Sequence, residues 1–255
     1  MLRQAIVIIL LLSTYSSYSE TVLESGSLTI LNDIQQKTKG LAAQQRTKVI
    51  TEYFLGTPYN NKTLNMVSAN QENLVVNLKA LDCMTFIEYT EALKRSDNYE
   101  DFLQNLKQVR YSDENISYIN RHHFFTDWSA RPDNLISDVT QEISHNSVEI
   151  SKHLNLGQNG KPLLATVPIK NRVIHYIPTR NIDKNVLNQI QTGDYIGIYS
   201  PNSGLDVSHV GIAIWQNGQI YFRNASSLKR NLKVVDIELN NYLKGKPGII
   251  VLRSR

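Results

Sequence analysis

The sequence predicts an α+β protein in which helices come first and an antiparallel sheet follows. Between residues 28 and 108, apolar residues recur at the spacing of amphipathic helices. After residue 170 the chain changes to short β-rich runs separated by Gly and Asn. Helices grouped before strands are typical of the α+β class. No internal repeat or low-complexity segment interrupts this order.

The first half of the chain predicts four helices and one short strand. The first helix places Leu28, Leu31 and Ile34 on one face and ends at Gly40. The string Gly56-Thr57-Pro58-Tyr59 breaks the second helix. The predicted helices span residues 28–38, 42–55, 83–94 and 99–108, and the strand spans residues 74–78.

The second half predicts a sheet whose clearest turn is Asn217-Gly218, a strong hairpin signal. The predicted strands are 172–177, 194–199, 207–215, 219–223 and 248–253, with a helix at 184–190. Gly193 and Asp194 predict a structural turn into the second of these strands. Residues 121–128 predict a loop, and residues 134–154 fit either a helix or a mixed segment.

The N-terminus has the pattern of a secretory signal. Arg3 precedes an apolar run at 5–12, and Ser17-Tyr18-Ser19 offers small residues for cleavage after Ser19. The run is too short to cross a bilayer, and no cysteine follows closely enough for a lipid anchor. We therefore expect residues 1–19 to be removed and residues 20–255 to form one domain. The expected location is periplasmic or secreted, without a stable membrane anchor.

The composition and the missing motifs narrow the classes of function that are expected for this protein. The formal charge is +4 and the isoelectric point is about 9.0, which suits attraction to anionic polymers such as cell wall. No dense Lys/Arg cluster interleaved with aromatics is present, so nucleic-acid binding is not expected. The sequence has no His-Glu-x-x-His string, Gly-rich phosphate loop or Gly-x-Ser-x-Gly elbow. We predict neither a metal nor a cofactor, and the sequence leaves the oligomeric state open.

Cys83, the single cysteine, is the strongest candidate for chemistry. Asp82 is a natural N-cap, so Cys83 falls in the first turn of a predicted helix. The helix dipole and the unpaired N–H groups there would lower the thiol pKa and favour the thiolate. The alternative is a small buried apolar residue. One cysteine cannot form an internal disulfide in an exported protein, which favours a functional role.

A cysteine nucleophile needs a base and a group that orients the base. His209 lies in the alternating string Val207-Ser208-His209-Val210-Gly211, where Gly211 would leave room beside the ring for a substrate cleft. Asn224 lies at the end of the next predicted strand and can accept from the far ring N–H of His209. For both residues the alternative is a structural strand residue that bonds only to its neighbours.

These segments together resemble the NlpC-type cell-wall hydrolases, a papain-like superfamily. The matching strings occur in the family's order and are Leu55-Gly56-Thr57-Pro58-Tyr59, Leu81-Asp82-Cys83, Gly193-Asp194, Ser208-His209-Val210-Gly211 and Asn224-Ala225-Ser226-Ser227. The chain departs from the common Asp-Cys-Ser-Gly string by having Met84-Thr85, and from the common third His by having Asn224. The insertion at about 95–190, with its Arg-x-His-Phe-x-x-x-Trp segment, resembles the AmiA-like branch.

The resemblance implies a papain-like core in which Cys83, at a helix N-terminus, packs on the C-terminal sheet. It implies a Cys83, His209 and Asn224 mechanism on a peptidoglycan or muropeptide substrate. In related peptidases the residues at Asp82 and Tyr59 recognise a free L-Ala amine, which favours γ-D-glutamyl–diamino acid cleavage. The AmiA-like branch instead implies cleavage of the N-acetylmuramoyl–L-alanine amide, which we favour. A non-catalytic wall-binding module is the third possibility.

Further substrate contacts are expected around this centre. Ser208 adjoins the histidine in the matched string and is grouped with Tyr59 and Asp82 as a substrate-binding residue. His122, His123 and Trp128 of the insertion would line the cleft, where aromatic faces suit sugar or peptide. Equally, the aromatic residues of 121–128 would pack a satellite core with the histidines on its rim. A zinc site at the histidine pair is less favoured.

Overall fold

The computed structural model describes residues 20–64, 66–68, 71–133 and 135–255. The predicted leader, residues 1–19, lies outside the described residues. The helices are α1 (Ser27–Thr38), α2 (Ala43–Tyr53), α3 (Cys83–Lys94), α4 (Tyr99–Arg110), α5 (Thr140–Ile143), α6 (Lys184–Gln189) and α7 (Leu239–Leu243). The strands are β1 (Thr21–Leu23), β2 (Met66–Ser68), β3 (Gln71–Glu72), β4 (Leu74–Val76), β5 (Ile136–Asp138), β6 (Val148–Leu154), β7 (Lys170–Pro178), β8 (Tyr195–Tyr199), β9 (Val207–Gln216), β10 (Gln219–Ser226), β11 (Lys233–Glu238) and β12 (Gly248–Ser254).

Eight strands form one large antiparallel sheet. Its order is β11-β10-β9-β8-β12-β7-β6, and β5 pairs with β12. Short β1 runs parallel to β4 outside this sheet, and β2 pairs with β3. The predicted combination of N-terminal helices with a large antiparallel sheet is therefore confirmed.

Packed cores cover both faces of the sheet. In β8, Tyr195 and Tyr199 join the core under the N-terminal helices, while Ile196 and Ile198 join the core on the opposite face. Short helices α5, α6 and α7 add Ile143, Val186, Leu239 and Leu243 to that second core, beside apolar residues of the strands. Burial on both faces explains why the five residues of β8 are all buried rather than alternating.

The middle of the chain extends the same sheet. The segment 134–154 was expected to be a helix or a mixed segment, and its described residues, 135–154, contain β5, α5 and β6. Strands β6 and β7 pair along seven residues, from Val148–Tyr176 to Leu154–Lys170. Strand β7 meets β12 through Gly248–Pro178 and Ile249–Ile177. The predicted insertion therefore supplies three strands of the sheet that carries the candidate site.

The described ranges lack a membrane-spanning helix and a cluster of metal ligands. Among the helices of residues 20–64, 71–133 and 135–255, each is too short or too polar to cross a bilayer. In the part of the chain that the structure describes, no group of three or more His, Cys, Asp or Glu side chains is arranged to hold a metal ion.

Candidate active site

Cys83 is the first residue of α3, where the sequence predicted the helix to begin. Asp82 is the N-cap: its Oδ1 accepts from the Thr85 backbone N–H at 2.7 Å and from the Thr85 hydroxyl at 2.8 Å. In return, Thr85 Oγ1 accepts from the Asp82 backbone N–H at 2.9 Å. This reciprocal capping box defines the start of the helix. Thr85, a departure from the common Ser-Gly pattern, completes the cap.

The Cys83 thiol is protonated in the resting protein. Burial is the largest effect on its pKa and the charge of Asp82 is the second, and together they raise it to about 12. The backbone N–H groups of Val210, Met84 and Cys83 act in the opposite direction but are outweighed. The sequence-based expectation of a lowered thiol pKa was therefore wrong. The helix N-terminus does favour the thiolate, but the loss of solvent around the sulfur is the larger effect.

The sulfur lies beside the strand that carries the candidate base. Residues of β9 and β10 pair from Gln216–Gln219 to Ile212–Arg223, and the paired register ends there. Beyond that pair, the Val210 N–H donates toward the Cys83 sulfur. Because Val210 follows His209 directly, this contact brings the thiol to the same strand end as the imidazole.

His209 and Asn224 form the contact that the sequence predicted. His209 Nε2 lies 2.9 Å from Asn224 Oδ1. The Asn224 amide nitrogen donates to the Phe222 carbonyl at 3.2 Å, which turns its oxygen toward the ring. An amide oxygen only accepts, so Nε2 carries the proton and Nδ1 remains an acceptor. The catalytic roles of these residues remain a prediction.

The His209 imidazole is neutral at neutral pH. Burial lowers its pKa below the usual value, and the charge of Lys246 lowers it further. The Asn224 hydrogen bond and the charge of Asp82 raise the pKa but do not restore it. A neutral imidazole with a free Nδ1 is the form that can take a proton from a thiol.

Two aromatic rings enclose His209. Phe222 lies 6.0 Å from the imidazole at 72°, and Tyr242 lies 6.3 Å away in a nearly parallel plane at 27°. A Cβ at Gly211 would meet the Phe222 ring and the Arg223 carbonyl at 2.6 Å. The predicted space beside Gly211 is therefore filled by Phe222 and is not open to substrate. Sequence reasoning missed Tyr242, because a five-residue helix such as α7 carries no readable periodicity.

Of the predicted substrate-binding residues, Tyr59 and Asp82 lie at this centre. Burial, and then electrostatic interaction with Cys83 and Asp82, raises the pKa of Tyr59. The Tyr59 backbone N–H donates to the Leu232 carbonyl at 2.9 Å. Ser208 is exposed and its hydroxyl donates to the Ile198 carbonyl at 3.4 Å. The pairing of β8 with β9 shifts register here, from Ile198–His209 to Tyr199–Val207, so Ser208 is the extra residue of a β-bulge.

Trp128 and His122 lie in other parts of the molecule than the centre around Cys83 and His209. Trp128 is 1% exposed and packs edge-to-face on Tyr195 at 5.1 Å, within the core under the N-terminal helices. The structure thus favours a packing role for Trp128, in the main core rather than a satellite one. His122 lies 2.9 Å from the Val109 carbonyl through Nδ1. It borders a polar cavity of about 660 Å³ that Asp127 also lines.

His123 is held by a backbone carbonyl. Its Nε2 donates to the Tyr118 carbonyl at 2.7 Å, and the two rings meet at 4.6 Å. Burial is the main cause that lowers the pKa of His123, to about 4. The side chain is therefore neutral at neutral pH, and contact with a substrate remains a prediction.

Several solved structures are similar to this chain. The Legionella pneumophila str. Philadelphia 1 protein LPG0564, of family model DUF1460, is 25% identical, with a TM-score of 0.76 over 89% of this chain and 94% of that one. An N-acetylmuramoyl-L-alanine amidase from Bacteroides uniformis ATCC 8492 is 28% identical, with a TM-score of 0.69 over 84% and 99% of the two chains. No curated protein matches the sequence.

One similar structure has a different description. A Bacteroides fragilis protein described as a candidate xylanase is 33% identical, with a TM-score of 0.65 over 80% of this chain and 98% of that one. Glycoside hydrolysis generally uses two facing carboxyl groups. The described side chains at the site instead combine a thiol, an imidazole and an amide, with Asp82 engaged in the helix cap.

The match to a protein family covers most of the chain. The family model that matches residues 49–249 is AmiA-like, described as N-acetylmuramoyl-L-alanine amidase-like. The matched range contains Tyr59, Cys83, His209, Asn224 and Tyr242. The similar amidase structure from Bacteroides uniformis agrees with this match. The chain is therefore a member of the AmiA-like, N-acetylmuramoyl-L-alanine amidase-like family.

Proposed function

We propose that the protein is an exported cysteine amidase that hydrolyses the N-acetylmuramoyl–L-alanine amide of peptidoglycan. The observation that carries this proposal is the hydrogen bond between His209 Nε2 and Asn224 Oδ1, next to Val210, whose backbone N–H interacts with the Cys83 thiol. Membership of the AmiA-like family supplies the substrate class. The cysteine mechanism follows from the side chains themselves, and export follows from the pattern of residues 1–19.

In the first half of the proposed reaction, His209 acts as a general base. Its Nδ1 accepts the proton of the neutral Cys83 thiol as the sulfur attacks the lactoyl carbonyl carbon. The C–S bond forms, and the carbonyl oxygen takes the negative charge of a tetrahedral intermediate. In this proposal, the backbone N–H of Cys83, at the start of α3, and the hydroxyl of Tyr59 stabilise that oxyanion.

Collapse of the intermediate completes the reaction in two steps. The C–N bond breaks, and His209 gives its proton to the departing amino group of L-alanine. A thioester then links the muramic acid lactoyl group to Cys83. Water attacks the thioester while Nδ1 accepts its proton, and the C–S bond breaks to release the lactoyl carboxylic acid. The proton returns from His209 to the sulfur. Asn224 holds the ring throughout and accepts from Nε2.

The capping box supports the amidase over the γ-D-glutamyl endopeptidase. An endopeptidase that binds a free L-Ala amine would use the Asp82 carboxylate for recognition. Here Oδ1 of Asp82 accepts two hydrogen bonds from Thr85 and is committed to the helix start. Asp82 Oδ2 remains for an incoming ammonium group, so the cap takes only part of the acceptor capacity that amine recognition would use. Cleavage of the lactoyl–L-Ala amide requires no such amine site.

The arrangement also supports a papain-like core of the NlpC type. A cysteine at the N-terminus of α3 lies against β9 of an antiparallel sheet, and β9 and β10 supply the histidine and the asparagine. A wall-binding module without activity would need none of the three side chains in this relation. Retention of all three at one strand end therefore favours catalysis.

A digest of purified muropeptides with residues 20–255, read by mass spectrometry, tests the proposal. We expect release of intact stem peptides from muramic acid, with no release by Cys83→Ala. Tyr221→Ala is a matched control, since the Tyr221 hydroxyl bonds Gln219 at an exposed position of β10. Products cut after γ-D-Glu would replace the amidase with the endopeptidase. No products from the wild-type protein would refute both activities on this substrate.

A further inference from the structure

Tyr242 is a residue at the centre that no sequence motif marks. It lies in α7, whose Leu239 and Leu243 are 0% and 2% exposed and anchor the helix in the second core. The Tyr242 ring contacts Phe222 at 4.6 Å and lies nearly parallel to His209 at 6.3 Å. The imidazole thus stacks with an aromatic ring that also packs on Phe222.

The hydroxyl of Tyr242 is also part of the charge environment of the site. Burial raises the pKa of Tyr242 to about 12, with a smaller contribution from the charge of Cys83. The phenol is therefore neutral whenever the reaction can run. The Lys246 ammonium lies 5.4 Å from the ring centroid. The charged groups that act on His209 are Asp82, which favours the imidazolium, and Lys246, which disfavours it.

We propose that Tyr242 is a positioning residue for His209: its ring fixes the imidazole plane in which Nε2 meets Asn224, and it excludes water from the base. This inference rests on the proposed function of Cys83 and His209. A single hydrogen bond to Asn224 leaves the imidazole free to rotate about the Nε2 contact. Two rings, Phe222 at a steep angle and Tyr242 in a nearly parallel plane, remove that freedom. The Nε2 contact with Asn224 is then held in one ring plane.

The proposal is tested with Tyr242→Ala and Tyr242→Phe. In the alanine variant we expect kcat to fall about 100-fold, because small misplacement of a catalytic group has that effect, with KM close to the wild-type value. Water reaches the imidazole, so the pKa of His209 rises toward its ordinary value. The acidic limb of the pH–rate profile moves to higher pH. Tyr242→Phe keeps the ring and is expected to restore most of the rate.

The His209 titration provides a measurement that needs no substrate. The Cε1–H resonance of His209, assigned by its loss in His209→Ala, is followed by NMR against pH. We expect a higher midpoint in Tyr242→Ala and an unchanged midpoint in Tyr242→Phe. If the wild-type protein cuts no muropeptide, the proposed function fails while this titration still tests the role of Tyr242.

Control variants distinguish a positioning role of Tyr242 from a general loss of structure. Tyr221→Ala removes a tyrosine from β10 whose hydroxyl bonds Gln219 at an exposed position, and it should leave rate and titration unchanged. If Tyr242→Ala does not fold, Tyr242→Leu keeps the apolar volume without the flat ring and is expected to lower kcat. A folded alanine or leucine variant with wild-type kcat and His209 midpoint overturns the proposal. A Tyr242→Phe variant as slow as Tyr242→Ala also overturns it.

Discussion

Removal of the Asn224 side chain tests the orienting role of the amide most directly. Asn224 is 1% exposed, and its Oδ1 accepts from His209 Nε2 at 2.9 Å. In Asn224→Ala, the ring N–H loses its acceptor in a buried place. A buried donor left unsatisfied costs about 1–3 kcal/mol. Each 1.4 kcal/mol or so in the barrier is tenfold in rate, so we expect kcat to fall about 5- to 150-fold.

The direction in which the pH–rate profile shifts is a second test of the orienting role of Asn224. The Asn224 hydrogen bond raises the pKa of His209, against the lowering by burial. Its loss in Asn224→Ala therefore moves the acidic limb of kcat/KM to lower pH. Asn224→Asp places a carboxylate at the same atom, stabilises the imidazolium and moves the limb to higher pH.

Steady-state hydrolysis of a defined muropeptide between pH 4 and 9, approximately the range set by the titration of a histidine, measures both effects. Asn231→Ala, which removes an amide that bonds Ser226 on the neighbouring loop, is the matched control. Wild-type kcat in folded Asn224→Ala, or limbs that move in the same direction in both Asn224 variants, would refute the orienting role.

Two further predictions concern charge. Asp82→Asn removes the second-largest cause of the raised Cys83 pKa, so iodoacetamide should alkylate the thiol faster at neutral pH; an unchanged or slower rate would contradict this. Since Asn caps helices as well as Asp, the free energy of unfolding should change little. Burial opposes ionisation of Glu91, but Lys94 and Arg95 outweigh it and lower its pKa to about 2. A lowered carboxyl pKa stabilises the fold above about pH 4.5 and loses that contribution as pH falls toward 2. Glu91→Gln should therefore lower the unfolding free energy at pH 7 by about 3–5 kcal/mol and flatten its decline over that acidic window, as measured by urea unfolding. An equal decline of the unfolding free energy with falling pH in the wild-type and Glu91→Gln proteins would contradict this prediction.

Elements with a strong local signal were predicted closely. Helix α3 was expected at residues 83–94 and occurs at Cys83–Lys94, because the Asp82 cap and the helix-forming residues after it lie within one short segment. The turn at Gly193 has φ of +98°, and Asp194 accepts from the Gln191 N–H at 2.7 Å, as the sequence suggested. Local hydrogen bonds of this kind depend on residues three or four apart, so a single sequence displays them.

Elements without such a signal were missed. Strand β11 (Lys233–Glu238) alternates weakly, and it is held by pairing with β10 from Tyr221–Glu238 to Ser226–Lys233. Helix α7 is too short for a helical pattern, and the packing of Leu239 and Leu243 on the second core stabilises it. Their formation depends on partners distant in sequence, which propensity does not report.

At the candidate site, residue types and order along the chain were sufficient to select Cys83, His209 and Asn224. The hydrogen bond between the last two follows from a hairpin whose turn, Asn217-Gly218, is visible in the sequence. The protonation state of the Cys83 thiol, in contrast, does not follow from residue types and their order along the chain. Its local surroundings at a helix N-terminus favour the thiolate, yet burial and Asp82 raise its pKa to about 12.

The chain thus encodes locally where α3 begins, which turns join the strands and which side chains can perform nucleophilic chemistry. Packing of distant segments decides how those side chains behave. The insertion supplies strands to the sheet and Trp128 to its core, and α7 brings Tyr242 over His209. Desolvation depends on every atom that displaces water around a group, whatever its position along the chain. The pKa values of Cys83 and His209 are consequently properties of the folded molecule.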